Sequence, residues 1–249
     1  MKLATFQRLP QGLLPQLDFT LCSPRRTDEV RSILVPNLES IREHYEKALR
    51  TPGDSGKRVG WRDTTAQMTR FNCIFQLLTG YEPGSVADIG CGTADFLSFL
   101  RAQGWAGEYI GTDISQEMIQ EASKRFAGDA HSKFIVTDSP PQADVVVASG
   151  IFNVSLHSDA IIWKEYCEDS IRRMWQSAGQ GIVFNMLSTD SDLDKRNLDL
   201  SYFDPSDWLS FVRKQLSTHV RIDQTYGQFD FTVAVFRSAI VTSKIESLI

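Results

Sequence analysis

From Ser85 onward, short apolar runs alternate with longer stretches whose apolar residues recur at helical spacing. The pattern predicts strands over 85–89, 108–112, 133–136, 143–148 and 180–186, with helices over 94–103, 115–126 and 159–177 between them. Strands separated by helices of this length imply a parallel sheet covered by helices on both faces. The tail changes character. Asp204-Pro205-Ser206-Asp207 opens a helix to about Leu216, and His219–Gln224 and Asp230–Arg237 read as strands joined through Tyr226-Gly227. So short a connection makes the last two an antiparallel hairpin at the sheet edge.

Upstream of Ser85 the period is helical. Val30, Ile33, Leu34, Leu38, Ile41 and Tyr45 fall on one face of a helix opened by Thr27-Asp28-Glu29 and kinked or broken at Pro36. A loop spans 51–56, and 64–78 reads as a second helix with Met68, Phe71, Ile74, Phe75 and Leu78 inward. Residues 1–27 carry Pro10, Pro15 and Pro24 without a clear period, so they read as an N-terminal extension. The organisation expected is that extension followed by one domain, 28–249: a helical cap over 28–80 and an α/β core over 81–249.

Composition narrows the function classes. A chain of 249 residues with 42% hydrophobic content can bury a full core. A net charge of −5 argues against a protein that grips nucleic-acid backbones, which calls for a basic stripe. Small-molecule chemistry is favoured. Cys22, Cys73, Cys91 and Cys167 form no C-x-x-C pair and no metal-like spacing, which implies a reducing, cytoplasmic compartment and no metal. No apolar run approaches the roughly 20 residues that span a bilayer, so no membrane partner is expected. The chain is expected as a monomer or homodimer.

The most specific signal is Val86-Ala87-Asp88-Ile89-Gly90-Cys91-Gly92-Thr93-Ala94-Asp95, followed by Tyr109-Ile110-Gly111-Thr112-Asp113-Ile114. It reads as strand, glycine turn, helix and a second strand ending in a carboxylate. Glycines at 90 and 92 let the backbone approach a ligand closely, and Asp113 is placed to accept from a ribose. A dinucleotide would need a third glycine where Asp95 stands, and a carboxylate there would oppose a pyrophosphate. A cofactor carrying an ammonium and a sulfonium meets no such objection.

At these residues the chain resembles the class I S-adenosylmethionine-dependent methyltransferases, whose first motif has the form acid-hydrophobic-Gly-x-Gly-x-Gly. Asp88 to Asp95 and Asp113 fit it, with Ala94 in place of the usual third glycine. The resemblance extends over roughly 44–237 and implies a Rossmann-like, seven-stranded, mostly parallel sheet with an antiparallel C-terminal strand. It also implies that Gly90, Cys91 and Gly92 lie against the methionine part of the cofactor. Asp113 would hold the ribose hydroxyls, Ile114 would pack on the adenine face, Met118 would also contact the cofactor, and Asp138 with Ser139 would meet the adenine edge. Ser149 and Gly150 would touch the methionine carbons, and Arg70 would pair with the methionine carboxylate. Each position has a plainer alternative: Asp113 as a helix cap, Asp138 as a turn residue before Pro140-Pro141, Arg70 as a surface arginine.

The acceptor side is less specific. Tyr45, Trp61, Phe152, Asn153 and Tyr202 are the candidate substrate contacts, and His157 and Tyr226 are the candidate general bases, with Asp204 and Asp230 as further possibilities. The Asn-Pro-Pro-Tyr tetrapeptide of amino- and base-modifying members is missing after the fourth strand, where Ser149-Gly150-Ile151-Phe152 stands. The reading is therefore methyl transfer to an oxygen or nitrogen of a small polar metabolite by in-line displacement. A non-catalytic, S-adenosylmethionine-binding regulatory protein of the same fold is the alternative, and a nucleotide-dependent oxidoreductase has the Asp95 objection against it.

Overall fold

The computed structural model describes residues 36–51, 56 and 63–239. Helix α1 (Leu38–Arg50) begins directly after Pro36 and is capped by the Asn37 side chain, which accepts from the Ser40 amide. Pro36 thus precedes the N-cap, where its missing N–H removes no intrahelical bond, and the expected helical stretch before it, with Val30, Ile33 and Leu34, lies outside the described residues. Helix α2 (Thr64–Leu77) is capped in the same way by Asp63.

The core then alternates: β1 (Ser85–Ile89), α3 (Asp95–Ala102), β2 (Glu108–Asp113), α4 (Gln116–Arg125), β3 (Ser132–Val136), β4 (Ala143–Ala148), α5 (Ala160–Ser177) and β5 (Ala178–Ser188). It closes with a two-residue strand β6 (Tyr202–Phe203), α6 (Pro205–Gln215), β7 (His219–Asp223) and β8 (Asp230–Phe236). The described strands form one eight-stranded sheet of order β3-β2-β1-β4-β5-β8-β7, with β6 attached to β5 off this path. β8 runs antiparallel to β5 and to β7, and the remaining pairs are parallel.

The extra strand over the expected seven is β6. β4 leaves β5 at the pair Ala148–Phe184, and β6 then pairs with Leu187 and Ser188. It therefore continues the lane of β4 beyond the carboxyl end of the sheet. Two residues are too few to carry a period, so no hydrophobic pattern announces it.

Burial explains which strands are central. Every residue of β8 is buried, as are Val145 to Ala148 of β4, because helices cover both faces. The edge strands β3 and β7 are only partly covered. Successive residues point to opposite faces. Val146, Ala148, Ile182 and Phe184 join Trp163, Ile171 and Trp208 in one core cluster, and Val145, Val147 and Val183 join Phe71, Phe96 and Leu97 in the other. Among the described residues no helix is long and apolar enough to cross a membrane.

The strand order reverses between β1 and β4, so the chain leaves a crevice beyond their carboxyl ends. Phe184 anchors the floor beneath it, fully buried between Phe152 and Trp208 with edge-to-face ring contacts. Phe184→Ala is expected to lower the unfolding free energy by about 3–5 kcal/mol, read from urea denaturation at constant slope.

Candidate functional site

Past Ile89 the β1–β2 pairing continues into the turn. The Cys91 amide donates to the Thr112 carbonyl at 2.9 Å, and the Gly92 amide donates to Asp113 Oδ2 at 3.0 Å. Ser115 N donates to Asp113 Oδ1 at 2.8 Å. Each carboxylate oxygen of Asp113 thus takes one backbone amide and keeps further acceptor capacity. Burial pushes the Asp113 carboxyl above its ordinary range, opposed by these amides.

The turn requires left-handed backbone. Gly90 has φ 69° and Gly92 φ 53°. A Cβ at Gly90 would lie 2.2 Å from Ile151 Cγ2, so close approach also demands glycine there. Ala94, at φ 62°, accepts the same conformation at a cost of about 1–2 kcal/mol. Its methyl is fully buried in the core, which offsets part of that cost.

Asp95 opens α3 and lines the cavity, but it is charge-paired. Arg125 Nη1 lies 2.5 Å from its Oδ1, and Gln67 Nε2 and Thr93 Oγ1 donate to its Oδ2, each at 3.3 Å. Asp88 is enclosed and accepts from the Tyr109 hydroxyl at 2.5 Å. Burial is the largest influence on Asp88 and the Asp113 charge adds to it. Together they outweigh the Tyr109 bond and push the carboxyl up to about 7.

Residues from five strand ends line one cavity of about 490 Å³, within the roughly 300–1,000 Å³ of small-molecule sites. β1 contributes Asp88, Gly90, Cys91 and Gly92, and β2 contributes Asp113 and Ile114 with Met118 behind them. β3 brings Thr137 and Asp138, β4 brings Ser149, Gly150 and Asn153, and β5 brings Leu187. The roof is α1, through Leu38, Ile41 and Tyr45, and α2, through Gln67 and Arg70. Burial raises the Tyr45 phenol well above its usual range, and burial does the same to the Cys91 thiol. Tyr202 closes the far side from β6, its hydroxyl accepting from the Asn197 amide at 3.0 Å.

Arg70 lines the cavity with its fork turned to Asp230, a buried two-point pair in which Nη2 donates to Oδ1 at 2.8 Å and Nε donates to Oδ2. Its Nη1 donates to the Ala66 carbonyl at 2.8 Å. The guanidinium expected to meet a cofactor carboxylate therefore clamps α2 to the start of β8.

Five candidates lie off the cavity wall. Phe152 is fully buried core, against Phe184, because the chain turns it under the sheet while Asn153 points up. Ser139 is exposed, its hydroxyl donating to Asp138 and its amide to Thr137 Oγ1, since the chain already turns toward Pro140. His157 is 69% exposed and pairs with Asp199 at 3.0 Å, in a left-handed turn at φ 63° that carries it away from β4. The Tyr226 hydroxyl is shared with Thr232 Oγ1 at 2.9 Å, and burial lifts its phenol far above the usual range, which suits packing and not proton transfer. Asp204 caps α6 through the Ser206 amide. Trp61 lies outside the described residues.

Asn185 was not among the candidates. Fully buried on β5, it accepts from the Gly150 amide at 2.8 Å and donates to Ser149 Oγ at 3.2 Å, so it sets the turn after β4. The available signal was a carboxamide inside the apolar run Ile182-Val183-Phe184-Asn185-Met186-Leu187. Asn153 acts similarly, accepting from the Leu187 amide at 3.1 Å.

Residues 87–172 match the family model described as a methyltransferase domain. A protein of Mycobacterium tuberculosis (strain ATCC 25618 / H37Rv) named "Putative methyltransferase Rv1506c" is 34% identical over 165 residues, covering 66% of this chain and 99% of that protein. The chain belongs to the methyltransferase family. Its fold is that of magnesium protoporphyrin IX methyltransferase from Synechocystis PCC 6803 with bound SAH, at a TM-score of 0.55 and 18% identity over 85% of this chain and 100% of that one. It is likewise that of the N-methyltransferase NodS from Bradyrhizobium japonicum WM9 in complex with S-adenosyl-L-homocysteine, at a TM-score of 0.55 and 16% identity over 78% of this chain and 96% of that one. Sheet order, glycine turn and antiparallel edge together give this methyltransferase a Rossmann-like fold.

Asp88 generates a pH prediction. A carboxyl whose folded value is raised stabilises the protein fully below its unfolded value near 3.8, and that contribution is lost as pH rises through about 7. Asp88→Asn should therefore gain stability relative to the wild type between about pH 4 and pH 7, by a few kcal/mol. Urea unfolding of both proteins across that range checks it; parallel curves would refute the buried-acid assignment.

Proposed function

We propose that the protein transfers a methyl group from S-adenosylmethionine to an oxygen or nitrogen of a small polar metabolite by in-line displacement. The observation that carries this reading is the cavity itself: the glycine turn of β1, with Asp113 at the end of β2, opens onto a space shared with residues from β3, β4 and β5.

The residues present fit such a cofactor. Asp88 and Asp113 supply two enclosed carboxylates without a cationic side-chain partner among their hydrogen bonds, which suits a ligand bearing ammonium and hydroxyl groups. Gln67 Oε1, buried in the cavity wall, has no hydrogen-bond partner among the described residues and asks for a donor. In this reading Asp113 accepts from the ribose hydroxyls, Ile114 and Met118 flank the adenine and Asp138 meets its amine. Gly90, Cys91, Gly92, Ser149 and Gly150 line the methionine arm. When bound, the cofactor supplies a methyl group already activated by its sulfonium.

The protein's task is then alignment and exclusion of water. None of the four histidines lines the cavity, and Asp95 and Asp230 are committed to arginines. Acceptor orientation falls to Asn153, Tyr45 and Tyr202, around apolar walls from Leu38, Ile41, Val154, Leu187 and Leu200.

Asp113→Ala is expected to weaken S-adenosylmethionine binding by about 10- to 150-fold, the loss of 1.5–3 kcal/mol in charge-assisted hydrogen bonds. Titration calorimetry measures it, and unchanged affinity would sink the site assignment. Incubation with S-adenosylmethionine and a metabolite extract should release S-adenosylhomocysteine and give one product heavier by a methylene in mass spectra; cofactor binding without release would mark a non-catalytic protein.

A further inference from the structure

Glu46 is a buried carboxylate on α1 for which alignment of an acceptor has no use, only 6% exposed although it lies on the roof helix. Its Oε1 accepts from Ser115 Oγ at 2.9 Å and from Arg42 Nη1 at 2.7 Å. Ser115 is used three ways. Its hydroxyl donates to Glu46, the same oxygen accepts from the Met118 amide at 3.2 Å as the cap of α4, and its own amide donates to Asp113 Oδ1. One hydroxyl proton and one lone pair satisfy both side-chain bonds, so Glu46 fixes the direction of that proton.

Arg50 extends the connection. It binds Glu117 of α4 through Nε at 3.1 Å and through Nη2, which also lies 3.8 Å from Glu46. Arg42 is held by Glu39 on its other side. The roof helix that carries Leu38, Ile41 and Tyr45 into the cavity is thus tied to the start of α4, two residues beyond Asp113.

We propose that Glu46 is a positioning residue for the ribose site: acting through Ser115, it holds the Asp113 carboxylate in its accepting pose. This rests on the cofactor reading given above. Ion-pair charge alone would be a weaker device, because the Arg50–Glu117 pair is exposed and screened. The buried hydrogen bond to Ser115 is the part that reaches Asp113.

The test is binding of adenosine, which carries base and ribose without sulfur, measured by calorimetry on the full chain. Glu46→Leu should weaken adenosine and S-adenosylmethionine alike by about tenfold, the scale of one lost buried hydrogen bond. Glu46→Gln, which still accepts from Ser115, should restore affinity to within about threefold of wild type. Binding of 2′,3′-dideoxyadenosine, which lacks the ribose hydroxyls, should not respond to either change. Equal losses in Gln and Leu variants, or an equal loss for the dideoxynucleoside, would overturn the proposal. Should Glu46→Leu fail to fold, Ser115→Gly keeps the amide to Asp113 and an acceptable cap while deleting the hydroxyl. It must reproduce the ribose-specific loss, and unchanged adenosine affinity would overturn the proposal equally. A wild-type chain that binds neither adenosine nor S-adenosylmethionine fails the cofactor reading itself, whereas wild-type binding lost in Asp113→Ala but kept in Glu46→Leu fails only the role of Glu46.

Discussion

The parallel pairing of β1 with β2 governs the site, because its register does not stop where β1 stops. Ile89 pairs with Thr112, and one residue further on the amides of Cys91 and Gly92 face the Thr112 carbonyl and the Asp113 carboxylate. A slip of one residue would put Asp113 on the opposite face and leave the turn without its acceptor. The left-handed residues at 90, 92 and 94 are what allow those amides to turn back toward β2. The cavity residues contributed by β1 and β2 are placed relative to that junction.

Charge around the cavity is divided between two kinds of carboxylate. Asp95 and Asp230 are buried with arginines, and each pair joins elements distant in sequence: Arg125 ties α4 to the start of α3, and Arg70 ties α2 to the start of β8. Such pairs hold geometry, and breaking one leaves an uncompensated buried charge. Asp88 and Asp113 are held instead by neutral donors, a phenol and two amides. Burial therefore raises both carboxyls, and a cationic ligand in the cavity would favour their charged forms.

The side of the cavity beyond the ends of β4 and β5 is built differently. Asn185 and Asn153 satisfy backbone amides at the ends of β4 and β5, and β6 extends the lane of β4 over the cavity. These are polar groups used to hold irregular backbone beyond the sheet, where no ladder can satisfy it. The result is an apolar chamber with few committed polar contacts, positioned by residues that are not themselves reactive.

Periodicity and glycine placement were enough for the core strands, the glycine turn and Asp113, because each depends on neighbours in sequence: alternation, a left-handed turn and a strand end. Three of the expected site residues that lie off the cavity wall follow strand ends. Phe152, His157 and Ser139 differ from their cavity-lining neighbours by one to a few residues, and there a single left-handed residue or a proline decides which way a side chain points. Arg70 and Tyr226 show the same limit at long range, since the partner that takes each guanidinium or hydroxyl is chosen by packing of α2 against β8 and of the hairpin on itself. The local grammar of strand, turn and carboxylate thus specifies a nucleoside-binding α/β fold. The long-range pairing of Glu46 with Ser115, Arg70 with Asp230 and Asn185 with Gly150 joins residues 35 to 160 positions apart, so it exists only once the sheet order has brought them together.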